Sequence, residues 1–86
     1  MYIIEPYTQR QASQLGLVVK PSHNKNKKID VFKDDKKIAS IGDIRYKDYP
    51  KYLKEDKSLA EERRILYHQR HTKNTLREKL AKKLLW

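Results

Sequence analysis

Four side chains in the C-terminal third have the types and spacing for anion recognition. Arg63, Tyr67, Arg70 and His71 stand at i, i+4, i+7 and i+8, positions that share one face of a helix. Two guanidiniums flanking a phenol can hold phosphates, each offering a planar fork of donors. Leu59 and Leu66 lie on the same face, which leaves a second reading open. In it, Tyr67 and the arginine stems cover a thin core while the heads pair with Asp43, Asp48 or Asp56. Arg64, Lys73, Arg77, Lys82 and Lys83 extend the basic set. With Arg63, Arg70 and His71 they are the candidate nucleic-acid contacts.

A second constellation is aromatic. Tyr46, Tyr49, Tyr52 and Tyr67 go with Lys47, Lys51 and Lys54. Tyrosines with cations suit stacking on single-stranded nucleic acid, and they suit protein interfaces equally well. Asp43, Asp48 and Asp56 in the same stretch interrupt a phosphate track, so protein contact or core is the expected role. Leu84 and Trp86 close an apolar stripe that is either packing or an anchor docked into a neighbour.

Other chemistry finds little support. His68 and His71 are three apart and His23 lies in a polar stretch, but there is no Cys and no evident third ligand for zinc. Ser13, Ser22, Ser40 and Ser58 lack a recognisable base or nucleophile elbow. Gly16 and Gly42 are isolated, so no glycine-rich loop cradles phosphate. Asp34-Asp35 and Glu61-Glu62 read as turn and helix-start residues. The expectation is a protein that is not an enzyme and carries no cofactor or metal.

The elements that must position these residues follow from local signals. Thr8 to Leu15 reads as a short helix with Thr8 as N-cap, Gln11 completing a capping box and Gly16 as the stop. Leu17-Val18-Val19 reads as a brief strand, and residues 21–26 as a loop. Ile29 and Val31 alternate around Asp30, Asp34-Asp35 offers a turn, and Ile38 and Ile41 return, which predicts a β-hairpin over 27–42. Gly42 suggests a positive φ or a close backbone approach. Pro50 opens one short helical turn. Ser58-Leu59-Ala60-Glu61 is a capping box for a helix to about His71. Thr75-Leu76-Arg77-Glu78 is another, for a final helix with Leu76, Leu80, Ala81, Leu84 and Leu85 on its apolar side.

Composition sets the bounds. The chain has 86 residues, with 21 Lys+Arg against 11 Asp+Glu and a net charge of +10. Leu, Ile, Val and Phe make up about 23%, just above the roughly 20% below which a highly charged chain tends to stay disordered. A large enzyme with a deep pocket is excluded, as is a span of ~18 apolar residues for crossing a membrane. Met1-Tyr2-Ile3-Ile4 runs straight into Glu5-Pro6, which is not the pattern of a signal peptide. Residues 63–86 carry eight basic residues against Glu78 alone, a net charge of +7. Such a block is either a solvated face or a docking surface, and a polyanion or acidic protein would relieve its self-repulsion.

Short segments along nearly the whole chain resemble a family. They are Gln11-Ala12 to Leu15-Gly16, Lys20-Pro21-Ser22, Lys27-Lys28-Ile29-Asp30-Val31-Phe32, Ser40-Ile41-Gly42, Asp48-Tyr49-Pro50 and Tyr52-Leu53. Glu62-Arg63-Arg64 to Tyr67, Arg70-His71 and the closing Leu84-Leu85-Trp86 follow. Together they are similar to a small conserved protein of unknown function encoded by crAss-like tailed phages and large DNA viruses. Relatives often carry a Gly-rich insert before the closing Leu-Trp, where this chain has plain helical sequence over Lys73–Lys83. The resemblance implies a virion-associated protein and brings no catalytic residues.

The expected fold is a small single α+β domain over residues 1–86. A β-hairpin carries a short N-terminal helix on one side, and a basic region over 58–86 forms two helices on the other. The expected role is that of a minor virion structural protein, a capsid cement or lining component. It would dock through Tyr46, Tyr49, Tyr52, Tyr67, Leu84 and Trp86 on capsid or portal-associated proteins, not on a membrane, with its basic surface towards packaged DNA. The alternatives are a free nucleic-acid-compacting protein of viral origin and an adaptor for an acidic host protein.

Overall fold

Pro6 fixes the φ of the first helical turn and starts α1 (Pro6–Gln14). The computed structural model describes residues 2–86. The N-cap of α1 is Glu5, not Thr8. Thr8 lies inside the helix, fully buried, and its Oγ1 donates to the Leu84 carbonyl at 2.8 Å. Gly16, at φ +69°, ends the segment. Three antiparallel strands follow in the order β1-β2-β3: β1 (Val18–Pro21), β2 (Lys27–Lys33) and β3 (Lys36–Asp43). The hairpin is thus β2–β3, with β1 added along β2. Asp34 and Asp35 both have positive φ, as a two-residue turn matched to strand twist requires.

The register sets the two faces of the sheet. Val19 pairs with Val31, Val31 with Ala39, and Ile29 with Ile41, so these apolar residues share one face. Lys20, Asp30 and Ser40 align on the other. Asp30 is buried there and held by the Ser22 and Ser40 hydroxyls, each donating at 2.6 Å.

Three helices complete the chain: α2 (Tyr49–Glu55), α3 (Lys57–Arg70) and α4 (Leu76–Leu84). The short turn expected after Pro50 is a full helix whose N-cap, Asp48, accepts from the Lys51 amide. Helix α3 is capped by Asp56 and not by Ser58: the Asp56 carboxylate accepts from the Ser58 and Leu59 amides. Thr75 caps α4 as expected, accepting from the Glu78 amide.

Ala12 of α1 and Leu80, Ala81 and Leu84 of α4, with Leu85, close over the apolar face of the sheet. Helices α1 and α4 therefore pack on each other in one core, which corrects the expected placement on opposite sides. The last carbonyls of α4, orphaned at any helix end, are met from two other elements. Thr8 donates to Leu84, Gln11 Nε2 to Lys83 at 3.2 Å, and the Tyr49 amide to Leu85 at 3.0 Å. Leu76 is exposed and does not join the apolar stripe. Among the described residues no helix is long and apolar enough to cross a membrane.

Candidate functional site

Helix α3 has a single buried residue, Ala60. It meets α2 along its first half, where Tyr49 Oη donates to Glu61 at 2.6 Å. Its second half stands off the sheet. The space between α3, the end of β3 and α4 is a cleft of about 680 Å³. Trp86 spans the gap: Tyr67 stacks on it at 4.5 Å with only 9° between planes, and His71 stacks on Tyr67 at 4.0 Å. His71 is anchored where α3 ends, its Nδ1 lying 3.0 Å from the Tyr67 carbonyl. This aromatic column forms part of the cleft lining.

Charge in the cleft is mostly positive. Arg63 and Arg70 of α3 and Arg77 of α4 line it with Lys27, Lys28 and Lys47, beside the His71 ring at the end of α3. Asp43 and Glu78 are the acidic members of the lining. Two of the cations are already compensated, Lys28 by Asp48 at 2.9 Å and Lys47 by Glu55 at 2.7 Å. Among the described residues no carboxylate stands within 4.0 Å of Lys27, Arg63, Arg70 or Arg77. Arg45 clasps Asp43, and this holds the Asp43 carboxyl down at about 2. Glu78 keeps one buried carboxylate oxygen with no hydrogen-bond donor.

This arrangement meets the packing reading of the arginine–tyrosine face only in part. Tyr67 does pack, and burial, helped by the Glu78 charge, pushes its phenol up. The arginine heads do not pair as the second reading required. Asp43 is engaged by Arg45, Asp48 by Lys28 and Tyr2, and Asp56 caps α3. The guanidiniums are left facing solvent.

Of the candidate nucleic-acid contacts, Arg63, Arg70, His71 and Arg77 come together in the cleft. Arg64 turns away and lies over the Tyr49 ring, 4.8 Å from its centroid. Lys73 sits in the exposed link before α4, and Lys82 and Lys83 are on α4 away from the cleft lining. Lys27 and Lys28 were missed because nothing in a hairpin strand signals what its end will face.

The docking residues divide as well. Leu84 is fully buried and Tyr49 is 7% exposed, with Tyr49 set edge-on against Tyr7 at 5.4 Å. Both are core residues, which corrects their assignment to an exposed interface. Tyr67 is enclosed by His71 and Trp86. Tyr46 is 65% exposed at the rim, while Tyr52 and Trp86 are half-buried and line the cleft.

Comparison with known proteins finds a family-level match. Residues 17–57 fit a family of unknown function (DUF5754). The matched stretch covers the sheet and α2 and stops as α3 begins, so it leaves out Arg63, Arg70 and Arg77. No curated protein and no solved structure matches the chain.

Proposed function

We propose that the chain is a non-enzymatic attachment protein of a virus particle that turns its basic surface towards packaged DNA and docks on other virion proteins. One observation carries the DNA side of this reading. Among the described residues every ion pair lies upstream of α3, and none of the eight basic side chains from Arg63 to Lys83 takes part in one. Positive charge concentrated on one region and left uncompensated is an electrostatic footprint for a polyanion. Its placement in the virion is supported by the resemblance to the phage protein.

A free nucleic-acid-compacting protein is the second reading. The burial of Tyr49 and Leu84 favours it, because it shrinks the surface available for docking on a shell protein. Quantitative mass spectrometry of purified particles separates the two. The virion reading requires a copy number that is a fixed multiple of the capsid symmetry. Absence from particles together with retained DNA binding would sink it and favour the free protein.

A further inference from the structure

We infer that the cleft takes single-stranded nucleic acid, with bases set against Tyr46, Tyr52 and Trp86 and phosphates held by Lys27, Arg63, Arg70 and Arg77. The inference rests on the polyanion reading above and narrows its ligand. Cations alone would serve any polyanion, whether duplex, strand or acidic protein. The cleft offers more than cations, because Tyr46, Tyr52 and Trp86 line it together with them.

The rings differ in what they have free. Tyr67 is covered on the column by His71 and Trp86 and has no role with ligand. The stacking ends at Trp86: Tyr52 stands 6.2 Å from it with the planes tilted by 42°, which is not a stack. Tyr46 is largely exposed at the mouth. Cations lie over both tyrosine rings: Arg63 and Lys47 over Tyr52, 5.9 and 5.8 Å from its centroid, and Arg45 over Tyr46 at 5.5 Å. A base that stacks on Tyr46 or Tyr52 takes the place of these cations, which turn to its phosphates, so that π-faces and phosphate donors alternate as in sequence-tolerant single-strand binders.

Shape excludes the duplex. A double helix keeps its bases stacked inside and presents a convex backbone, so the rings would meet nothing to stack on. A cleft of about 680 Å³ lies in the range of sites that enclose a small ligand, enough for part of a single strand and too confined for a duplex. The aspartates among the tyrosines do not oppose a strand as free charges. Asp43 and Asp48 are engaged within the chain.

The test exploits the single tryptophan of the chain. Trp86 fluorescence and fluorescence anisotropy are measured with three labelled probes at one salt concentration: a thymidine strand of about twelve nucleotides, its abasic analogue, and a duplex of the same length. The strand is expected to bind roughly tenfold tighter than either of the others and to quench Trp86. Tyr46→Ala, at an exposed position, and Tyr52→Leu should each weaken the strand several-fold while leaving the abasic probe unaffected. Equal binding of all three probes with unchanged Trp86 emission would overturn the inference and leave the polyanion reading standing. Failure to bind any of the three would overturn the polyanion reading itself.

Discussion

Asp48 ties the N-terminal segment, β2 and α2 together. It caps α2, accepts from Tyr2 Oη at 2.7 Å, and pairs with Lys28, both partners being almost wholly buried. Removing one partner of such a pair leaves an uncompensated buried charge, at a cost of about 3–5 kcal/mol. Asp48→Ala is therefore expected to unfold the protein or lower its thermal midpoint sharply, as read by circular dichroism. Thr8→Val keeps the volume but leaves the Leu84 carbonyl without its donor, a loss of about 1–3 kcal/mol. Acid should act through two other carboxylates. Lys54 and Lys51 clamp Glu5 at 2.7 and 2.9 Å and hold its carboxyl below the usual range. At Asp30 burial pushes upward, but Ser22, Ser40 and the His23 amide outweigh it and the net shift is down. A carboxyl depressed in the folded state stabilises fully above its unfolded value, near pH 4, and the stabilisation fades as pH falls through the folded value. Thermal midpoints should thus be level from neutral pH to about 5 and fall below 4. Glu5→Gln and Asp30→Asn should be less stable at neutral pH and show a shallower fall in acid.

At the scale of elements the turns and caps make the sharpest contrasts. A Cβ on Gly42 would come within 2.8 Å of Leu85 Cδ1 and 3.0 Å of Lys28 Cδ, at a φ of +82°. At Gly16, with φ +69°, it would meet nothing within 4 Å. Gly16→Ala should therefore cost only the conformational term, about 1 kcal/mol, and Gly42→Ala that plus about 1–3 kcal/mol of overpacking. Denaturant midpoints will rank the two. The pair Asp34→Asn, Asp35→Gly fits the positive φ of the β2–β3 turn and should raise stability by about 0.5–1 kcal/mol. These positions also show where sequence is informative. The Thr75 box, the Asp34-Asp35 turn and the Gly42 approach were legible because each is decided within a few residues or by a glycine's geometry. Thr8 and Ser58 were misread because each has a stronger neighbour upstream, Pro6 at the first helical position and the carboxylate of Asp56. The shared face of Arg63, Tyr67, Arg70 and His71 followed from helical spacing alone. That Arg77 and Lys27 join it, and that Tyr49 and Leu84 leave the surface, depends on how α3 and α4 meet the sheet. Tyrosines and a Leu-rich stripe serve core and interface with the same pattern.

For the molecule as a whole, a thin core is combined with a net charge of +10. Upstream of α3 twelve Lys and Arg are set against eight Asp and Glu and ion pairs form, whereas among the described residues the eight basic side chains from Arg63 to Lys83 form none. The largest block of uncompensated charge thus lies on α3, α4 and the link between them, where a polyanion would relieve its self-repulsion. Glu78→Gln deletes a carboxylate from the cleft wall and should tighten binding to DNA by several-fold at low salt, measured by anisotropy. The most direct measurement is the dependence of DNA affinity on salt for the native protein and for variants lacking Arg63, Arg70 or Arg77. Affinity should fall steeply with salt, and each Arg→Ala should reduce the log–log slope by roughly 0.7–0.9 while leaving the thermal midpoint unchanged. Affinity indifferent to salt, with Arg→Ala variants that bind as before but melt earlier, would contradict the account.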